Sequence, residues 1–462
     1  MFDALQAPPE GVTHAEALLD SLDACFLNGF ARLGDAEAAS LASLAKTFTG
    51  TPLAAPVAAA AEALAAGDYG ITHFEALAAA RGSLQGAIHD ALVQQVRAAL
   101  GRAAPEAAPA AAPAEPFPPQ MAPLLESTQQ WLMELALAGF GQLDYGTVVP
   151  FAATLEKLQA EPELTRLSVL LTGTLGEIAA ALPIEDAAAL PLSRWVDLWS
   201  RAMLGTLGAP ASPGGEAFSG NVRILGAALN THANAVSVTA WGVVEGDTPR
   251  MVRVSRTAWK VDQVFDAATW QALGDGDDPL MRAIGERRIL RVSDATLLPS
   301  GDLVLEGAKV GESMAAFSWS EAAPAAAVGE ALPGPVAAPA DRHPVQIAEP
   351  VYLSELEATS ARKGDQTVTV GGGSLPVAVD RMGYRGAHLN AALSNAACAF
   401  GLLRYDGGAW SFQPLALQTN IKGNKTVDFY NGDDAMASIK SAGSSNLGIL
   451  RERASKILRA QS

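Results

Sequence analysis

Residues 221–259 read NVRILGAALNTHANAVSVTAWGVVEGDTPRMVRVSRTAW, and this stretch decides the fold of the middle of the chain. Val236, Val238 and Ala240 alternate with polar or aromatic side chains, which is the period-two pattern of half-buried strands. The same alternation returns after the Gly-Asp-Thr-Pro sequence at residues 246–249, whose composition is typical of a tight turn. The stretch therefore predicts three consecutive antiparallel strands.

The sequence on either side of this stretch indicates several domains. Residues 102–120 and 321–344 are rich in Pro and Ala, a composition that opposes helix and favours extended linkers. At 462 residues the chain is also too long for a single core. We therefore predict a multidomain α and β protein with two all-α helical units, then an antiparallel β sheet or barrel domain, then a small α+β domain. The predicted boundaries are 1–101 for the first helical domain, 102–120 for a Pro/Ala linker, 121–208 for the second helical domain, 209–217 for a hinge, 218–320 for the antiparallel β domain, 321–344 for a second Pro/Ala linker and 345–462 for the α+β domain, which ends in a basic helix over 447–458.

The second helical unit has the pattern of a repeat of the first. The sequence LLDS at residues 18–21 recurs as LLES at residues 124–127, and Gly29-Phe30 recurs as Gly139-Phe140. The spacing between the two motifs differs by about one helical turn, which keeps them on the same face. A bias towards Ala and Leu is the alternative explanation, and the linker leaves open whether the two units pack on each other.

The charge of the chain is concentrated in its helical half. Residues 1–210 contain 9 Lys and Arg and 23 Asp and Glu, and the whole chain has a net charge of −17. An acidic surface repels phosphate backbones and favours basic protein partners, although a solvated exterior gives the same composition. Cys25 and Cys398 are the only cysteines, and the N-terminal sequence lacks the apolar core of a signal peptide. We therefore expect a cytoplasmic protein without a membrane span.

One predicted helix, around residues 192–207, has an aromatic and Met stripe. Trp195, Trp199 and Met203 lie on one side of it at helical spacing. Such a stripe is either part of a core or an anchor for a partner protein. The sequence leaves both interpretations open, and these three residues are the predicted partner-binding set.

A basic group beside the third predicted strand supports an alternative function, nucleic-acid binding. The group consists of Arg253, Arg256, Trp259 and Lys260. Cations next to a stacking aromatic on a barrel surface are typical of single-strand binders. Carboxylates in the same region, such as Asp278, oppose the positive field.

Patterns typical of metal and phosphate sites are incomplete. In the acidic run at residues 275–278, Pro279 and Leu280 stand where a calcium loop requires a ligand and the sharp-turn glycine. We predict instead an acidic turn that caps the next helix. The glycines at 371–373 precede a strand pattern rather than the helix that a phosphate cradle requires. We expect no catalytic residues, no metal ligands and no cofactor.

A modular chain with linkers favours an adaptor, because each domain can hold a different partner and the tether raises the effective concentration. We predict a non-enzymatic adaptor or scaffold, an accessory subunit of a bacterial multi-protein system that binds partner proteins through its helical and β domains. The first alternative is a nucleic-acid binding module that uses the β domain and the basic C-terminal helix. The second is an enzyme whose active site is assembled between domains, for example around Arg381, Arg385 and His388.

Overall fold

The computed structural model describes residues 2–102, 116–208, 214–232, 235–244, 249–259, 269–324, 342–360, 366–381, 389, 392–421, 425–433 and 435. It confirms a multidomain α and β protein, with helices in the N-terminal half and antiparallel sheets after them. The α-helices are α1 Val12–Asn28, α2 Asp35–Thr47, α3 Ala54–Ala65, α4 Ile71–Ala99, α5 Ala122–Ala138, α6 Tyr145–Val148, α7 Ala152–Gln159, α8 Thr165–Ala181, α9 Leu192–Gly205, α10 Thr269–Leu273, α11 Pro279–Gly285 and α12 Trp319–Ala322. The strands are β1 Glu216–Thr231, β2 Ala235–Val244, β3 Arg250–Trp259, β4 Arg288–Leu297, β5 Leu303–Val304, β6 Lys309–Ala316, β7 Glu349–Leu353, β8 Glu357–Ser360, β9 Gln366–Val370, β10 Gly373–Pro376, β11 Ala396–Asp406, β12 Ala409–Ile421 and β13 Lys425–Tyr430.

Helices α1 to α9 pack around one hydrophobic core. Leu22 and Phe26 of α1 lie in this core together with Leu132 of α5 and Trp199 of α9. Apolar residues at helical spacing give each helix a stripe that has to be buried, and the stripes of both units meet. The units on the two sides of the first Pro/Ala linker therefore pack together, and we call residues 2–102 and 116–208 the helical module.

The two helical units share the same local structure at the predicted repeat. α1 ends at Gly29 and α5 at Gly139, with φ of 88° and 87°, and each is followed by a 3-10 helix of three residues. The two glycines also meet. A Cβ on Gly29 would lie 2.4 Å from the carbonyl oxygen of Leu137, and a Cβ on Gly139 would lie 2.4 Å from the carbonyl carbon of Asn28. This reciprocal contact supports the interpretation of an internal repeat.

Helix α4 is longer than the sequence pattern indicates. The pattern predicts two helices, over residues 73–81 and 84–100, whereas the structure has one helix of 29 residues. A glycine inside a helix costs about 1 kcal/mol relative to Ala, and Gly82 suggests a break for that reason. The side chain of Leu204 would lie 3.3 Å from a Cβ on Gly82, so the glycine allows α9 to approach closely.

The central sheet begins with the three predicted strands. β1, β2 and β3 are consecutive and antiparallel, and the sheet order is β3-β2-β1-β4-β5 with β6 also paired to β4. The sheet curls until β3 meets the turn before β5, where the Arg253 N–H donates to the Gly301 carbonyl at 2.9 Å. The Asp278 Oδ1 accepts from the Met281 N–H at 3.0 Å and caps α11, which confirms that the acidic run caps a helix. The sequence pattern predicts a further strand over residues 303–308. This prediction is wrong beyond Val304, because pairing with β4 resumes only at Lys309.

Two further sheets follow in the C-terminal part. One has the order β13-β12-β11-β7 and the other the order β10-β9-β8. The predicted hairpin around residues 406–408 joins β11 and β12, with Asp406 opposite Ala409. The sequence pattern also predicts short helices over residues 354–358 and 387–398. The first is wrong, because this segment leads into β8. The second is confirmed at Leu389, Ala392 and Leu393 and is wrong from Ala396, where β11 begins.

The sheet that contains β11 lies between two cores. Ala399, Leu403 and Tyr405 pack in the core of the helical module, whereas Phe400 and Leu402 pack in the core of the central sheet. Successive side chains of a strand point to opposite faces, so one strand contributes to both cores. The helical module, this C-terminal sheet and the central sheet are therefore stacked as three layers.

Some residues that the sequence singles out lie outside the described residues. These are the predicted basic helix over 447–458 and the side chains of Lys260, Arg385 and His388. In the described ranges, every helix is either too short or too polar to cross a lipid bilayer.

Candidate functional site

A buried ionic network joins three helices of the helical module. The Arg81 Nε and Nη2 atoms of α4 donate to both carboxylate oxygens of Asp23 of α1, at 2.8 Å and 3.0 Å. The Nη1 atom donates to the Asp197 Oδ1 of α9 at 3.2 Å, and the Arg201 Nε donates to the other Asp197 oxygen at 2.8 Å. The side chains of Arg81 and Asp23 are 1% and 4% exposed, so their charges depend on each other.

Burial and charge act in opposite directions on the ionic network. Burial raises the pKa of the Asp23 carboxyl, and the hydrogen bonds and charge of Arg81 oppose that effect. The planar guanidinium donates hydrogen bonds to two carboxylates in fixed directions, whereas a hydrophobic contact has no preferred direction. The network therefore fixes how α1 and α9 sit against α4 across the two helical units.

Further polar contacts connect the helical module to the C-terminal sheet. Glu349, at the start of β7, lies 2.6 Å from the Arg102 Nη1 and 3.7 Å from the Arg97 Nε. The Tyr405 hydroxyl donates to the Glu16 Oε1 at 3.1 Å. The two layers are thus held by ion pairs and hydrogen bonds as well as by the apolar core.

The surface of the helical module is strongly acidic. Of its charged residues, 13 carboxylates are exposed compared with 5 cations. The exposed carboxylates are Asp3, Glu10, Asp20, Asp35, Glu62, Asp68, Glu126, Glu134, Asp144, Glu156, Glu163, Glu185 and Asp186, and the exposed cations are Arg32, Lys46, Lys157, Arg166 and Arg194. Asp20 and Glu126 occupy equivalent positions of the repeat, so both units present a carboxylate there. A surface of this sign attracts basic macromolecules and repels phosphate backbones.

The predicted partner-binding residues lie in the core. Trp195 and Trp199 are each 1% exposed and Met203 is 0% exposed. Trp199 contacts Phe26 and Phe74, and its Nε1 donates to the Leu132 carbonyl at 2.8 Å. The sequence leaves two interpretations of the stripe open, and in the structure the stripe is part of the core. It lies where α9 packs against the first helical unit.

The basic group beside β3 is divided between the two faces of the strand. Arg253 and Trp259 have one parity and Arg256 the other, so their side chains leave on opposite sides. The Arg253 Nη2 pairs with Asp302 at 2.7 Å, and the Arg256 Nη1 pairs with Asp278. Trp259 is 66% exposed. Arg253 and Arg256 are therefore each paired with a carboxylate, and Trp259 is exposed. These three residues do not form a continuous basic stripe.

Other residues singled out in the sequence have structural positions. Arg381, in the alternative enzyme site, pairs with Asp406 at 2.7 Å. Gly371 and Gly372 form the turn between β9 and β10, both with positive φ, as a hairpin loop requires. In the part of the chain that the structure describes, no three His, Cys, Asp or Glu side chains converge as metal ligands do.

Comparison with known proteins adds no functional information. No protein-family model matches the chain, and no curated protein sequence matches it.

Proposed function

We propose that the protein is a non-enzymatic adaptor or scaffold, an accessory subunit of a bacterial multi-protein system, whose acidic helical module docks a basic surface of a partner protein. The observation that carries this proposal is the excess of exposed carboxylates over exposed cations on the helical module. Complementary charge speeds the encounter of two proteins and excludes partners of the same sign. The β layers supply a second surface for partner proteins.

Helix α5 offers a defined part of this acidic surface. Glu126 and Glu134 are exposed on it, and Gln130 between them donates to the Glu134 Oε1 at 3.3 Å. Their spacing of eight residues, with Gln130 midway, follows an i, i+4, i+8 row, so the two carboxylates lie about 80° apart around the helix axis on adjacent parts of one face. A basic helix or loop that lies along α5 can contact both.

The proposal is tested by isolating the full-length protein from its own host and identifying what accompanies it by mass spectrometry. We expect a stoichiometric protein partner that resists nuclease treatment. We also expect the partner to dissociate when salt is raised to about 1 M, where the screening length falls to about 3 Å. A protein that is isolated alone at low salt would refute the proposal.

A pair of charge reversals locates the surface. The variant E126K/E134K should retain less partner at low salt, because it replaces two carboxylates of α5 with cations. The control E306K/E355K makes the same change of charge at two exposed positions of the β layers. Equal loss of partner from both variants would show that only the net charge matters and not the helical module.

Nucleic-acid binding remains an alternative proposal because Trp259 is exposed. The pairing of Arg253 and Arg256 with carboxylates weakens it. A nuclease-sensitive partner in the same isolation would favour this alternative.

A further inference from the structure

A short segment at the end of the second Pro/Ala linker lies beside the ionic network. We call residues 342–347 the strap. Its Arg342 Nη1 pairs with the Asp90 Oδ2 of α4 at 2.9 Å, and its His343 Nε2 lies 3.8 Å from the Asp197 Oδ1 of α9. Residues 342–346 are all partly or fully exposed, and burial begins at Ile347, which is 3% exposed. The first five residues of the strap therefore lie on the surface of the helical module.

The conformation of the strap determines the tautomer of His343. The Val345 N–H donates to the His343 Nδ1 at 3.1 Å, so Nδ1 is the acceptor and the ring hydrogen is on Nε2, facing Asp197. Burial lowers the pKa of His343 to about 4, although the charge of Asp197 acts in the opposite direction. The imidazole is thus neutral at neutral pH, and the strap presents one cation, Arg342, and one neutral donor.

The charges of the helical module are complementary to those of the strap. Around the strap the module contributes three carboxylates, from Asp23, Asp90 and Asp197, and two guanidiniums, from Arg81 and Arg201. One carboxylate is left in excess, and Arg342 balances it. Burial acts to raise the pKa of Asp90, but the hydrogen bond from His89 and the charge of Arg342 outweigh burial, and the pKa is lowered.

We propose that Asp90 and Asp197 form a docking site for a basic segment of a partner protein, and that the strap occupies this site in cis until the partner displaces it. The inference rests on the proposed function and adds to it a second docking site besides the carboxylates of α5. The segment that fits presents a guanidinium to Asp90 and a neutral polar side chain near Asp197, as the strap does with Arg342 and, at 3.8 Å, with the His343 imidazole. Because the strap is tethered, its effective concentration is on the order of millimolar, and a partner has to compete with it.

The test uses the full-length chain and a fluorescently labelled peptide with the sequence of the strap, RHPVQI, titrated by anisotropy. The variant R342A/H343A removes both contacts of the strap and leaves the site open. We expect it to bind the peptide at least about ten-fold more tightly than the wild type, because the competing segment is lost. The control Q346A changes an exposed side chain of the strap and should bind the peptide as weakly as the wild type.

Two further measurements make the result specific. Adding D90N to the open variant should weaken peptide binding about ten-fold, and a peptide with Ala in place of Arg should not bind. In the wild type, excess peptide should speed hydrogen exchange at the Gln346 and Ile347 amides, which donate to carbonyls within the strap. This second readout does not depend on any variant being folded.

The inference is overturned if the open variant, with unchanged circular dichroism and melting temperature, binds the peptide no better than the wild type up to millimolar concentration. It is also overturned if D90N leaves the binding unchanged. These failures differ from failure of the proposed function. A peptide that binds the open variant while no partner accompanies the isolated protein would refute the adaptor alone, whereas a partner that binds wild type and open variant equally would refute the strap site alone.

Discussion

The contact between Gly29 and Gly139 predicts a large loss of stability on adding a single methyl group. Gly29 has φ of 88° and ψ of 147°, a region that side chains avoid at a cost of about 1–3 kcal/mol. A Cβ there would also lie 2.4 Å from the carbonyl oxygen of Leu137, a backbone atom that cannot rotate away. Overpacking of this kind costs about 1–3 kcal/mol. We therefore expect Gly29→Ala to lower the free energy of unfolding by about 4 kcal/mol, a large share of the roughly 5–15 kcal/mol typical of folded domains.

A second glycine with positive φ gives a reference value. Gly11 has φ of 86° but ψ of −20°, a left-handed conformation different from that of Gly29, and no atom lies within 4 Å of the position that an added methyl group would take. Gly11→Ala therefore measures the cost of a positive φ without a clash. Guanidinium denaturation followed by far-UV circular dichroism gives both values. The double variant G29A/G139A should cost less than the sum of its single variants, because the first methyl already separates the two chain reversals. A Gly29→Ala value within about 1 kcal/mol of the Gly11→Ala value would contradict the close contact between the repeats.

The ionic network and the strap each give one more prediction. Arg81→Met should lower the free energy of unfolding by about 3–5 kcal/mol, because it leaves the buried Asp23 carboxylate without its cation, and D23L added to it should recover part of the loss in the same denaturation assay. The pKa of His343 is about 4 in the folded state and near 6.5 in the unfolded chain. Between these two values the unfolded chain binds a proton that the folded chain does not, so the free energy of unfolding falls as the pH falls from 6.5 to 4 and is unaffected above that window. The loss at about pH 4.5 relative to pH 7 should be about 2.5 kcal/mol smaller in His343→Asn, since Asn keeps an acceptor for the Val345 N–H and does not titrate; parallel pH profiles for the two proteins would count against this.

The parts of the fold that the sequence predicts well are those with a local pattern. The alternation over residues 236–240 predicts β2 because one face of that strand is more buried than the other. The predicted repeat is marked at Gly29 and Gly139 because glycine fits both the positive φ and the close contact there. The pattern of β2 has its cause within the strand itself, whereas the two glycines are explained by a contact between the two helical units.

The strand β11 shows why other parts could be predicted only in part, because the sequence pattern predicts a strand over residues 401–405 whereas the strand begins at Ala396. Its sequence AACAFGLLRY has no alternation of polar and apolar residues, because one face packs on the helical module and the other on the central sheet. A strand that is buried on both faces reads as a continuous apolar run, which is ambiguous with a buried helix. The helix predicted over residues 387–398 runs too far for this reason: Leu389, Ala392 and Leu393 are helical, but residues 396–398 belong to β11.

The candidate site is invisible in the sequence for a different reason. Arg81 is 58 residues from Asp23 and 116 from Asp197, so no motif spacing relates them. A signal does exist in α1, where Asp23 falls among Leu19, Leu22 and Phe26 on a face that is otherwise apolar. A carboxylate on a buried face requires a partner, and this reasoning predicts a buried cation without saying which one.

The stacking of the three layers limits how far displacement of the strap can extend. Five residues of the strap are held by surface contacts, but Ile347 is buried and the Ile347 carbonyl accepts from Arg404 of β11 at 3.4 Å. Glu349, two residues later, is held by Arg97 and Arg102. A partner that takes the place of Arg342 and His343 therefore frees the chain up to residue 346 and leaves β7 in its sheet. Because β11 packs one face on the helical module and the other on the central sheet, we expect the helical module to exchange the strap for a partner while its position on the C-terminal sheet stays fixed.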